Sequence, residues 1–472
     1  MTSAVTPIIF EEHSAVLAEW RQRDFSRQTL VYLDAHLDLQ FISEARMGRL
    51  RATKSIEEFV ALEKPDHLLP DDNYVYGLEN FLYAASDLGI VEHLIWVAPP
   101  HVDIGQSEKV LDYVQQMDGV TFDELTHFRK TDGGWHEGTL LGLKITACNL
   151  EHLPYIQTGA DCLVDIDTDF FVALPADRAW TDPATVYDVI QRSVANPALV
   201  TVSRSVGSGF MPLQYRYFAD YLEALWLGHS EAAAHYQRLF DFDRQAGASA
   251  ELIALLDAEL DSFPECPATH ELCARIKQGS HEHSAEAAEL CFAYRYDPIR
   301  LASETANRYL ATTVTVLDTL YREFVESMSA TPAEGFIALG LAYAHRGNSR
   351  AAVQCYTAYG RPHPPLALAI ADLLAGTSDR AFRKELLEVA AKEDACITWA
   401  HLQLAELAVQ DKDFALAKSY LEQAHTSAPA WIEPLRRLAW LHEQFTESNT
   451  ANPYAIKLAN QSSALKRLSA LS

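Results

Sequence analysis

The sequence predicts an α/β domain built on a mostly parallel sheet, followed by an all-α region. Short β-rich runs alternate with amphipathic helices over about the first 210 residues. Several of these runs are almost entirely apolar, as expected of strands covered on both faces. Beyond about residue 213 the alternation stops, and the text becomes helical and rich in Ala, Leu and Glu.

The strand candidates are residues 7–10, 29–33, 93–97, 143–148, 162–166 and 199–203, with helices such as 78–88 and 184–195 between them. Strand–helix alternation implies parallel strands joined by crossovers. Active sites of such sheets lie beyond the carboxyl ends of the strands. The segments that follow are 1–213 for the catalytic α/β domain, 214–325 for a helical connector and 326–472 for helical repeats. In the last segment Leu339, Gly340, Tyr343, Gly347, Ala352 and Tyr356 fall at the helix-pair positions of a tetratricopeptide unit. Leu404, Ala405, Phe414, Ala417, Leu421, Ala424 and Pro429 do so again, and Leu438-Ala439 opens a third unit. Ala405 and Ala439 are 34 residues apart, the period of that repeat. Gly340 to Ala405 spans 65, short of two periods, so the unit over about 365–395 is expected to be irregular.

Composition narrows the partners. Sixty-five acidic residues against 38 basic ones give a formal charge of −27. That excess argues against duplex nucleic acid or an anionic membrane and suits a cationic small molecule or peptide. No apolar run approaches the ~18 residues of a membrane span. The first residues show neither a basic stretch nor an apolar core of a secretory signal, so the cytoplasm is the expected location. Seven scattered cysteines without a Cys-x-x-Cys pair fit reduced, mostly buried thiols.

The strand at 29–33 runs directly into Asp34-Ala35-His36-Leu37-Asp38. Alternate side chains of an extended segment share a side, so Asp34, His36 and Asp38 converge at the strand's end. A second apolar strand runs into Asp165-Ile166-Asp167-Thr168-Asp169. Carboxylates crowded this closely repel one another and protonate unless cations sit between them. Oxygen and imidazole donors suit Mn²⁺ or a similar divalent ion better than thiolate-bound zinc.

The pattern Asp34-Ala35-His36-x-Asp38 followed by Asp165-x-Asp167 resembles the two signature segments of the ureohydrolases (arginase, agmatinase), whose fold histone deacetylases share. A closer likeness is to a family on that fold that includes bacterial peptide arginases, which convert arginine side chains of ribosomal peptides to ornithine. It is carried by Ile8-Ile9-Phe10-Glu11-Glu12-His13, Tyr32-Leu33-Asp34-Ala35-His36, Leu94-Ile95-Trp96-Val97-Ala98-Pro99-Pro100 and Val164-Asp165-Ile166-Asp167-Thr168-Asp169-Phe170-Phe171, and covers about residues 7–210.

The resemblance implies a three-layer arginase-like domain holding two divalent ions per chain, with Mn²⁺ the expected metal. Asp34 and Asp165 would bridge them, His13 and Asp38 would complete one site, and His36 and Asp167 the other. A water held between two such ions becomes acidic enough to attack a guanidinium carbon at neutral pH, giving ornithine and urea. The Gly-Asn-x-His segment with which arginases hold a free amino acid is missing, which favours arginine inside a peptide, with the helical repeats as the expected docking surface. Replacement contacts are expected from Glu44, Asn73, Tyr76 and Asn80. His67 is the candidate proton shuttle, and Glu79, Asp169 or Glu44 the carboxylate that positions the guanidinium. Three alternatives remain open: an agmatinase-like or deacetylase-like hydrolase of another substrate, a metal-stabilised scaffold whose repeats bind a protein, and an unrelated α/β hydrolase using a nucleophile, for which no Gly-x-Ser-x-Gly elbow speaks. Elsewhere, residues 205–210 read as a turn and His281-Glu282-His283 as a solvated linker. Cys266 and Cys273 show no metal spacing and no evident histidine base.

Overall fold

The computed structural model describes residues 5–64, 74–104, 107–159, 161–173, 178–206, 210–245, 250–279, 340, 344, 347–392, 394–445 and 452–470. Ten strands are present among them: β1 (Ile8–Phe10), β2 (Gln28–Leu33), β3 (Val91–Ala98), β4 (Arg129–Lys130), β5 (His136–Leu140), β6 (Leu143–Asn149), β7 (Leu163–Asp167), β8 (Val172–Ala173), β9 (Arg178–Ala179) and β10 (Leu199–Ser203). Eight of them form a mostly parallel sheet in the order β1-β10-β7-β2-β3-β6-β5-β4, and β8 and β9 pair separately. All six strands expected from the sequence are present. The α/β fold class holds, with helices flanking the sheet and an all-helical C-terminal region.

The chain divides into two compact units, 1–16, 30–35 and 153–335 in one, and 17–29, 36–152 and 336–472 in the other.

In the first unit β1, β10, β7 and β2 run parallel. Ile8 pairs with Thr201 and Phe10 with Ser203; Asp165 sits opposite Thr201, and Asp167 opposite Ser203. Leu33 at the end of β2 pairs with Ile166. The carboxyl ends of β2 and β7 therefore finish side by side. Every residue of β7 and β10 is buried, the pattern of strands covered on both faces. The Pro183–Ser193 helix opens with Asp182, whose carboxylate accepts the Thr185 N–H at 2.9 Å, and with Pro183 at its first position.

In the second unit β3 and β6 are parallel, while β5 adds to β6 antiparallel and β4 to β5 antiparallel. The β5–β6 hairpin was not expected. Its two-residue loop, Leu141-Gly142, has φ of 50° and 80°, the backbone of a tight hairpin turn that favours Asn-Gly or Asp-Gly. Leucine in the first position hides the signal.

The C-terminal helices run over Ser349–Tyr359, Pro364–Leu373, Arg380–Ala390, Asp394–Gln410, Phe414–Ser427, Ile432–Phe445 and Pro453–Ala470. Ala405, Ala417, Leu421, Ala424 and Leu438 share one apolar core with Leu402 and Trp431. A Cβ on Gly340 would come within 2.7 Å of the Leu366 side chain, so any larger residue at that crossing would make Leu366 shift. Leu339 and Tyr343 lie outside the described residues. Within this unit, the Gly119 N–H donates to the Ser427 carbonyl at 2.9 Å, and Thr398 Oγ1 to Asp118 Oδ1 at 2.8 Å. Among the described residues no helix is long and apolar enough to cross a membrane.

Candidate metal centre

His13 opens a 3-10 turn just after β1 and is fully buried. Its Nε2 lies 2.8 Å from Asp165 Oδ2, and its Nδ1 lies 3.0 Å from Asp167 Oδ2 and 3.1 Å from Asp34 Oδ2. The ring stacks on Tyr32 at 5.3 Å. Tyr32 donates its hydroxyl to Asp34 Oδ2 at 2.5 Å. Ring nitrogens and three carboxylates from β1, β2 and β7 thus meet at one point, where the sequence placed His13, Asp34, Asp165 and Asp167.

The neighbouring strand β10 secures the carboxylates. Thr201 Oγ1 donates to Asp165 Oδ1 at 2.6 Å, and Ser205 Oγ to Asp167 Oδ2 at 2.6 Å. The Asp169 backbone N–H donates to Asp167 Oδ1, and Asp169 Oδ1 accepts the Ala35 N–H, both at 3.2 Å. Sequence reading missed Thr201, Ser205 and the supporting role of Tyr32. For Thr201 the signal was its place in Leu-Val-Thr-Val-Ser: a hydroxyl in a wholly buried strand needs a polar partner.

Beyond β2 the segment continues to His36 and Asp38, both partly buried. Possible ligand atoms of His13, Asp34 and Asp38 lie within 4.8 Å of one another, and so do those of Asp34, His36 and Asp169. Asp34 belongs to both groups. Asp38 (φ 42°) and Ser205 (φ 45°) hold left-handed backbone, a conformation that side-chain-bearing residues seldom adopt unless surrounding structure enforces it.

Charge decides what this cluster needs. Asp34, Asp165, Asp167 and Asp169 are all buried, and the imidazole of His13 is the cation that pairs with three of them. Burial opposes protonation of His13, but Asp165 and Asp167 outweigh it and hold the ring well above its ordinary range. Burial and Asp169 push the Asp167 carboxyl up, against the pull of His13 and Ser205. Four buried carboxylates crowd one imidazole, and a neutral ring can join them as a metal donor once a cation takes the place of its proton. An oxygen-rich set with surplus negative charge fits hard divalent cations.

Other sequence candidates have different surroundings. Glu44 is exposed and forms a bidentate pair with Arg51, at 2.6 and 3.1 Å, which lowers its carboxyl pKa. Tyr76 is buried with its ring tilted against Phe59 at 5.3 Å. Asn80 accepts the Gly77 N–H at 2.9 Å through its side-chain oxygen, fixing the turn before the Phe81–Asp87 helix. The Glu79 carbonyl accepts the Gln40 N–H at 3.0 Å. His67 and Asn73 lie outside the described residues, as do His281 and His283.

No family model matches the chain, and no curated protein does. The cluster must therefore be read from its own chemistry.

Proposed function

We propose that the chain is a metal-dependent hydrolase whose substrate is the guanidino group of an arginine side chain in a peptide. The observation that carries this reading is the surplus of buried carboxylates where β2 and β7 end, with His13 against three of them. His13, Asp34, His36, Asp38, Asp165 and Asp167 would hold two divalent ions, with Asp169 beside them. Bound there, Mn²⁺ or a similar ion would supply a water acidic enough to attack at neutral pH. Thr201 and Ser205 hold the Asp165 and Asp167 carboxylates by single hydrogen bonds, leaving oxygen lone pairs for a cation. The acidic chain favours a positively charged substrate. The arginase-like identity of the sheet, the tetratricopeptide-like identity of the C-terminal helices and their role in docking a peptide belong to the same proposal.

The experiment has two readouts on the full chain. Elemental analysis after Mn²⁺ loading and desalting should find two ions per chain in the wild type and none in Asp34→Ala. Mass spectrometry and a urea assay should then show arginine-to-ornithine conversion in an arginine-containing peptide, with free arginine turned over far less efficiently. A chain that retains metal but converts neither substrate would overturn the guanidino assignment; one that retains no metal would overturn the metal centre too.

A further inference from the structure

A deep-set lysine in the second unit carries a charge that its surroundings do not balance. The short helix Ile56–Val60 is capped by Ser55, whose hydroxyl accepts the Glu58 N–H at 3.2 Å. The chain then turns, and Glu63 forms a parallel bridge with Tyr76. The Lys64 N–H donates to the Tyr76 carbonyl at 2.8 Å, and the Val75 N–H to the Leu62 carbonyl at 2.7 Å. This pairing lays the Lys64 stem along Gly77, where an added Cβ would meet Lys64 Cβ at 3.2 Å and Cδ at 3.6 Å. Lys64 is left only 8% exposed. Its ammonium stands 5.0 Å from the centre of the Tyr74 ring, and the Arg46 guanidinium stands over the same ring at 4.3 Å. Glu79 Oε2 lies beside the stem, 3.6 Å from the same point at Gly77. Among the described residues no carboxylate reaches the Lys64 ammonium at ion-pair distance.

Taking an unpaired ammonium out of water costs more than a cation over a ring returns. Lysine is seldom buried without a counter-charge, and Arg46 on the same ring adds positive potential. The place calls for an anion. It also adjoins the loop that carries Asp38. Gly77 opens the turn into the Phe81–Asp87 helix, whose Leu82 N–H donates to the Asp38 carbonyl at 3.2 Å, and the Gln40 N–H donates to the Glu79 carbonyl at 3.0 Å. The segment from Asp38 to Gln40 is thus tied to the turn against which Lys64 rests.

We propose that Lys64, with Arg46 beside it, binds a carboxylate of the substrate peptide, so that the preferred substrate carries an acidic group near its arginine. This rests on the guanidino-hydrolase reading and narrows its substrate class. A chain of net charge −27 repels anions at long range, so a carboxylate is accepted only where a cation is built in to receive it. On Lys64 it forms a charge-assisted hydrogen bond and anchors the peptide beside the loop that carries Asp38. An acidic side chain or the free C-terminus of the peptide supplies the group.

The test uses the full-length protein and four labelled pentapeptides with a central arginine. One has a free C-terminal carboxylate, one is its amide, and two are amides with an aspartate just before or just after the arginine. Fluorescence anisotropy reads binding whether or not the arginine is converted. At least one carboxylate peptide should bind about tenfold or more tightly than the plain amide, as a hydrogen bond between charged groups provides. Which peptide gains tells a terminal carboxylate from a side chain. Lys64→Met, which keeps the stem, should erase the preference, and Lys64→Arg should retain most of it. Lys64→Met should also leave the urea midpoint unchanged or raised, because no partner in the fold loses its counter-charge. Equal or undetectable affinity for all four peptides, or a preference that survives Lys64→Met, overturns the subsite. A clearly destabilised Lys64→Met chain reveals a partner within the fold and overturns it too. An intact preference without arginine conversion supports the subsite and strikes the hydrolase reading alone.

Discussion

Replacing Thr201 with valine removes one hydroxyl from behind the cluster and keeps the shape of the side chain. In the structure that hydroxyl donates to Asp165 Oδ1 at 2.6 Å, and both residues are fully buried. A hydrogen bond to a charged group contributes about 1.5–3 kcal/mol. Partners that orient metal ligands typically change affinity by about 10–100-fold when lost, which is about 1.4–2.7 kcal/mol. The two routes agree, so Thr201→Val should weaken Mn²⁺ binding by about one to two orders of magnitude. Thr201→Ser, which keeps the donor, should stay within a few-fold of wild type. Thr146→Val is the control: that buried strand threonine meets His93 at 2.9 Å, and its loss should leave Mn²⁺ affinity unchanged. Calorimetric titration of the four proteins supplies the numbers. If Thr201→Val binds Mn²⁺ as tightly as wild type, Asp165 is not a ligand held by its neighbour, and the reasoning fails.

Three further outcomes are expected. Glu11 pairs bidentately with Arg216 at 2.6 and 2.8 Å and with Arg204 at 3.0 Å; because Glu11 is 42% exposed, Glu11→Ala should cost about 1–3 kcal/mol in urea denaturation, less than a fully buried pair. Leu421→Ala, in the core of the C-terminal helices, should cost about 2–5 kcal/mol, read as earlier loss of helical signal. His136 is held down to about 4 from its ordinary 6.5, first by burial and then by Lys130. Between those values the unfolded chain takes up a proton that the folded chain refuses, so stability falls as pH falls through that window; His136→Gln should flatten the urea midpoint over the same range.

Parts of this molecule were legible because the physics that forms them is local. Two apolar strands ending in Asp34-x-His36-x-Asp38 and Asp165-x-Asp167 announce both the strands and the edge where they end; the period of two aims Asp165 and Asp167 within β7, whereas past Leu33 the chain bends and Asp38 takes left-handed backbone. Helix crossings were legible from small residues such as Ala405 and Ala424, both buried. What escaped depends on distant partners. Thr201 supports Asp165 only because β10 lies beside β7 in that register. His235 meets Glu259 only when their two helices pack. Tyr76 reads as a contact residue in sequence, since a phenol serves a site and a core equally well, and packing against Phe59 places it in a core.

The hydrogen bond from Thr398 to Asp118 joins residues 280 positions apart, and Gly119 to Ser427 adds a second link of the same reach. At the ~5–20 residues per second of protein synthesis, roughly 15–60 seconds pass between the emergence of Asp118 and that of its partner. During that time the early helices and strands of this unit cannot complete their native packing. The nascent chain must therefore keep residues 107–127 from sticking elsewhere, and a chain whose translation stalls before residue 398 would present that surface to the cell's chaperones and proteases.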